Sequence, residues 1–131
     1  MYGVAYHDAN VIAYYCVAGT FQHEAALALR GMHEWHSAEL WCSELRNALA
    51  GYMRSRGLPL ATAQSFWADA EQCMARSYRP PGSRVLELAA SSGCSAYDLE
   101  YVALAQQLRA PLITMDREVL RAFPDEATPL I

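Results

Sequence analysis

The sequence has no lysine; all ten of its basic residues are arginine. That excludes a phosphate-binding loop of the Gly-Lys-Ser/Thr kind, which needs the ammonium group on its phosphates, and any Schiff-base chemistry. It also counts against a phospho-receiver domain, whose acceptor aspartate works beside a lysine. Cysteine is sparse: Cys16, Cys42, Cys73 and Cys94 are scattered, with no pair at Cys-x-x-Cys spacing. A zinc knuckle is therefore not expected, and buried free thiols in a reducing compartment are. No apolar run reaches the roughly 18 residues of a membrane span, and the N-terminus lacks the basic start and cleavage site of a secretory signal. The expected location is the cytoplasm, with no membrane partner. Charged residues make up only 18% against 53% hydrophobic, which excludes intrinsic disorder. A chain of 131 residues buries roughly two thirds of its unfolded surface, so residues 1–131 are read as one domain needing no disulfide or structural metal. The net charge of −4 argues against a generic basic nucleic-acid binder. It leaves open an enzyme whose bound metal ions offset an acidic centre.

What is present is an alternation of short apolar runs and helical patterns. Residues 2–7 read as a buried strand, followed by Asp8 and an apolar helix over residues 10–18 that Gly19 and Thr20 break. A second helix is expected from Gln22 to about His33, and a short strand over residues 38–41. From Ser43 a helix is marked by Leu45, Ala48, Leu49, Tyr52 and Met53, an i, i+3, i+4, i+7, i+8 stripe, and Gly57 with Pro59 ends it. Residues 62–74 read as a helix, 74–79 as a strand stopped by Pro80, Pro81 and Gly82, and 83–90 as a helix closed by Ser91, Ser92 and Gly93. Ser95 looks like an N-cap with Asp98 at the third helical position, on a helix whose apolar stripe is Tyr97, Tyr101, Leu104, Ala105 and Leu108. Residues 111–115 form a buried strand ending at Asp116, 118–123 a short helix, and 129–131 a last edge strand. Trp41 and the Tyr14–Tyr15 pair are expected in the core. His33 and His36, an i, i+3 pair with no third ligand nearby, are read as surface or partly packed.

Strands alternating with helices predict an α/β fold, a short and mostly parallel sheet of four or five strands covered on both faces. Ligands in such sheets bind beyond the carboxyl ends of the strands. Asp8 and Asp116 each follow a predicted strand, so both emerge on that edge. Asp98 and Glu44 sit at helix starts, which lie on the same side. Four carboxylates on one rim repel one another unless a cation joins them. Mg²⁺ or Mn²⁺ suits an all-oxygen set and can activate water against a phosphodiester.

The stretches HDANVIAYY, SELRNAL, SAYDLEYVALAQQL and APLITMDREVL resemble the PIN-domain family, in particular the VapC-like toxins of toxin–antitoxin pairs. The resemblance covers nearly the whole chain, and YDLEYVALA followed by LITMD is its most specific part. It implies a PIN-like three-layer α/β/α sandwich and a metal-dependent endoribonuclease cutting single-stranded RNA to a 5′-phosphate and a 3′-hydroxyl. The acidic quartet falls on Asp8, Glu44, Asp98 and Asp116, with Asn10, Thr114 and Asn47 as supporting polar residues. Also implied are Mg²⁺ or Mn²⁺ as cofactor, a homodimer, and a small VapB-like antitoxin as partner. With no lysine, substrate contacts fall to arginines, of which Arg46, Arg54, Arg56, Arg84, Arg117 and Arg121 are candidates.

Each acid has a plainer role open to it. Asp8, Asp98 and Asp116 can cap helices, and an acid at the start of the Glu44 helix is favoured by the helix dipole. Glu39, Glu100 and Glu118 read as solvated acids, the last two near enough to the rim to serve as reserve ligands. Thr114 and Asn10 can satisfy local backbone groups. The rival function is a non-catalytic PIN-like RNA-binding or protein-interaction module.

Overall fold

Parallel strands cannot be joined by tight turns and need crossover connections, usually helical. The chain is built that way in the computed structural model, which describes residues 3–7 and 21–130. The described elements run β1 (Gly3–His7), α1 (Phe21–Met32), β2 (His33–Ala38), α2 (Leu40–Arg56), α3 (Leu60–Cys73), β3 (Met74–Tyr78), α4 (Gly82–Ser91), α5 (Ala96–Leu108), β4 (Leu112–Thr114), α6 (Arg117–Ala122) and β5 (Ala127–Pro129). The strands form one sheet in the order β3-β2-β1-β4-β5, and every pairing is parallel. The chain thus fills one side of β1 with β2 and β3, then crosses to the other side for β4 and β5. The order reverses between β1 and β4, which pair through Tyr6 with Leu112 and His7 with Ile113. A reversal of this kind leaves a crevice beyond the carboxyl ends of the two strands.

One apolar core holds these elements together. Trp35, Leu45, Leu99, Val102, Leu104 and Leu112 are almost wholly buried. Helix α5 buries Leu99 and the run from Tyr101 through Ala105, as a largely enclosed helix must. It packs against α4, β1, β2 and β4. Strand β4 is buried at each of its three residues. Helix α2 ends at Gly57, whose φ of +67° lets its N–H reach the carbonyl of Tyr52; a side chain there would be strained. The described cysteines Cys42 and Cys94 are free thiols. No described helix is long and apolar enough to cross a membrane.

The structure shifts several sequence-based boundaries. The strand expected over residues 38–41 lies earlier, at His33–Ala38, and Leu40 already opens α2. The reason is composition: His-Glu-Trp-His-Ser-Ala does not read as a strand, yet Trp35, His36, Ser37 and Ala38 are all buried. His36 is tolerated there because its ring nitrogens bond Tyr78 Oη (2.8 Å) and Glu34 Oε1 (2.6 Å). Trp41 does enter the core, but from α2, stacked on Trp67 with ring centres 5.4 Å apart and donating to Ser77 Oγ. Tyr97, assigned to the apolar stripe of its helix, is 65% exposed, because it lies in the first turn of α5, ahead of the buried stretch. The last strand is Ala127–Pro129 rather than residues 129–131. Its Pro129 is tolerated because an edge strand leaves one side unpaired. The expected helix over residues 10–18 and the Tyr14–Tyr15 pair lie outside the described residues.

Candidate active site

Asp116 is placed by the backbone on both sides. It stands two residues beyond β4, and its N–H donates to Thr114 Oγ1 at 3.0 Å. Its own Oδ1 accepts from the Val119 N–H at 3.0 Å, so it caps α6. Thr114 is wholly buried. Its hydroxyl oxygen thus supports the backbone of the acid.

Asp98 reaches the same locality from the start of α5. Ser95 is the N-cap, its Oγ accepting from the Asp98 N–H at 3.2 Å, which fixes the first turn and the Cα of Asp98 within it. Burial raises the pKa of Asp98; the Ser95 hydroxyl opposes the rise, and the negative charges of Asp116 and Glu118 add to it. Asp98, Asp116 and Glu118 therefore share one electrostatic neighbourhood. The Cys94 thiol is raised as well, mainly by burial, and feels the same three carboxylates. A cleft of about 220 Å³ lined by Gly93, Cys94, Glu118, Arg121 and Ala122 opens beside this group.

Glu44 is held differently. Helix α2 begins at Leu40, so Glu44 stands beyond its first turn, which carries no acid. The helix dipole therefore does not account for it. Instead Tyr101 Oη, from α5, donates to Glu44 Oε1. Glu44 has acidic neighbours of its own: Glu100 has its pKa raised by burial and by the charges of Glu44 and Glu39. Glu39 immediately follows β2, and its N–H bonds the carbonyl of Tyr78 at 2.9 Å.

The described candidate acids thus fall into two groups, Asp98 with Asp116 and Glu118, and Glu44 with Glu100 and, through Glu100, Glu39. Among the described residues no three His, Cys, Asp or Glu side chains close into a metal-holding cluster. Asp8 and Asn10 lie outside the described residues. Asn47 is exposed on α2. Of the candidate arginines, Arg46 lies over the Trp67 ring and Arg56 over that of Tyr52, and Arg84 bonds Glu87 and Gln106. Arg117 and Arg121 are exposed on α6, the helix that Asp116 caps, and so stand beside the acids. Sequence reasoning passed over Tyr101, read only as apolar. Glu39, read as a solvated acid, is exposed.

The donor chemistry fits a hard divalent cation. The groups offered are carboxylate oxygens, with no soft ligand required, and the charges of Asp116 and Glu118 add to the rise that burial causes at Asp98, the electrostatic condition that a bound cation relieves. Asp98 and Asp116 are the described candidates to hold one.

Comparison with known proteins agrees with this architecture. The PIN domain family model matches residues 5–124. The ribonuclease VapC3 of Pyrobaculum aerophilum is 31% identical over 127 residues, covering 93% of this chain and 96% of that protein. The crystal structure of PAE2754, also from Pyrobaculum aerophilum, superposes with a TM-score of 0.79 at 22% identity, covering 99% of this chain and 92% of that one. A parallel sheet in the order β3-β2-β1-β4-β5 and a family match across most of its length make this chain a member of the PIN-domain family.

Proposed function

We propose that this protein is a metal-dependent endoribonuclease that hydrolyses single-stranded RNA as the toxin of a toxin–antitoxin pair. The observation that carries the reading is the meeting of Asp98 and Asp116 at the carboxyl end of β4, beside the end of β1 from which the chain runs directly into Asp8. The similarity to a VapC ribonuclease over 93% of the chain supports the substrate class.

In this reading Asp8, Asp98 and Asp116 hold Mg²⁺ or Mn²⁺, and Glu44 orients a water or a second ion. Such an ion supplies the acidity that makes water nucleophilic at neutral pH and offsets charge on the phosphodiester. The chain contributes the rest. Thr114 and Ser95 fix the backbone under Asp116 and Asp98, so the carboxylates are ordered before substrate arrives. Arg117 and Arg121 supply positive charge to the flanking phosphates, a duty that falls to arginine in a chain with no lysine. The partner is a small VapB-like antitoxin, and the protein is a homodimer.

The test is cleavage of a labelled single-stranded RNA by antitoxin-free protein in EDTA, Mg²⁺ or Mn²⁺, alongside Asp8→Asn and Asp116→Asn. Asparagine also caps helices, so Asp116→Asn removes the charge while keeping the cap. The expected result is metal-dependent cutting that each substitution reduces by more than about a hundredfold, beyond the usual cost of losing an outer partner of a metal ligand. Absence of cutting on several RNAs by the wild type would favour a non-catalytic RNA-binding or protein-interaction module.

A further inference from the structure

We propose that Tyr101 is a positioning residue of the active site, acting through Glu44; this rests on the nuclease reading above. Tyr101 is 2% exposed. A buried phenol needs a partner for its hydroxyl, and here that partner is the carboxylate of Glu44 on a different helix. An O–H···O⁻ bond is roughly twice as strong as one between neutral groups. Phenylalanine would fill the same space with the same ring, so packing alone gives no reason for the hydroxyl.

What the hydroxyl accomplishes follows from where Glu44 stands. Asp98 and Asp116 have capped helix ends to place them, whereas Glu44, beyond the first turn of α2, has no such device. Its side chain has three rotatable bonds, and ordering it costs conformational entropy. Glu100 adds like charge nearby, which favours rotamers that carry the carboxylate away. Tyr101 counters both effects with one bond. It sits three residues after Asp98, one turn further along α5, so it ties Glu44 to the helix that delivers Asp98. It engages Oε1 and leaves Oε2 for a cation or a water. The geometry of acids on two helices is thereby set by a single side chain.

The test uses the antitoxin-free protein, Tyr101→Phe, Glu44→Ala and the double variant. Mn²⁺ affinity is measured by calorimetry without RNA, and kcat and KM by RNA cleavage at saturating Mn²⁺. The expected result is that Tyr101→Phe folds, binds Mn²⁺ about 10–100-fold more weakly, and loses kcat with little change in KM. On the Glu44→Ala background the same substitution leaves Mn²⁺ affinity unchanged, since a residue acting through another has nothing left to act on. A folded Tyr101→Phe with wild-type Mn²⁺ affinity and kcat overturns the proposal, as does a loss that persists undiminished on the Glu44→Ala background. Should Tyr101→Phe not fold, wild-type NMR decides: a slowly exchanging Tyr101 hydroxyl proton that vanishes in Glu44→Ala supports the tie, and one unaffected by that substitution refutes it. The wild-type arm reports separately on the nuclease reading: protein that binds no Mn²⁺ and cuts no RNA sinks that reading and this inference with it.

Discussion

The two sides of the acidic rim are built on different principles. At the β4 side, Asp98 and Asp116 are placed by backbone: a serine cap under one, a threonine under the other, and a helix end that the second acid itself caps. At the β2 side, Glu44 is placed by one long-range side-chain bond to Tyr101. Short-range devices order an acid at little entropic cost, because the chain is already folded locally. A tie between helices holds only while both helices are docked. The β4 side is therefore expected to tolerate loosening of the core, and the α2 side to lose its geometry first.

The sharpest way to break this contrast is to remove, on each side, the polar residue that the family resemblance offers as a support. Thr114→Val keeps the shape but deletes the acceptor under the Asp116 N–H. Leaving that donor unpaired beside a fully buried position costs about 1–3 kcal/mol. Asn47, one turn after Glu44, is exposed, and Asn47→Ala is expected to stay within about 0.5 kcal/mol of wild type. Urea unfolding of both variants measures the difference. Equal destabilisation would mean that the α2 side has local support after all.

A smaller effect is expected from Ser95→Ala. Loss of an N-cap costs about 1 kcal/mol, and because that cap fixes the first turn of α5, fraying is expected to reach Asp98. Hydrogen exchange at the amides of Asp98 and Leu99 reads it directly. If those amides stay protected, the first turn is held by packing and the cap is incidental.

These local devices are also what made the β4 side legible in the amino-acid sequence. An apolar run ending in Asp, with Thr two residues earlier, announces a buried strand and the acid after it. Ser95 three residues before Asp98 announces a cap. Strand β1 was visible for the same reason. Strand β2 was not, since His36 and Ser37 are polar residues buried by virtue of partners such as Tyr78, 42 positions from His36. That error moved the start of α2 and lent Glu44 a dipole argument that the structure removes. Tyr101 was seen only as part of an apolar stripe, because its partner lies 57 positions away and no local spacing reports it. Patterns within one turn or one strand can be read from sequence; hydrogen bonds between elements depend on how the elements dock.

The smallest expected effects concern charge, and they compare the two acidic groups directly. Both Asp98 and Glu100 have their pKa raised in the folded protein, first by burial and further by neighbouring carboxylates. For an acid, a folded-state pKa above the unfolded one means that ionisation costs the fold stability. The cost is absent at pH values below the unfolded pKa and grows as pH rises through the raised one. In EDTA at neutral pH, Asp98→Asn and Glu100→Gln are therefore both expected to raise Tm. The gain should shrink as pH falls toward the ordinary carboxylate range, where the wild-type groups are protonated too. Mn²⁺ separates the groups: it should raise the Tm of wild type and of Glu100→Gln, and do so far less for Asp98→Asn, because the repulsion at Asp98 is the one that a cation relieves. Thermal melts at two pH values, with and without Mn²⁺, decide the matter. Equal Mn²⁺ responses from the two variants would place the ion-holding group elsewhere on the rim.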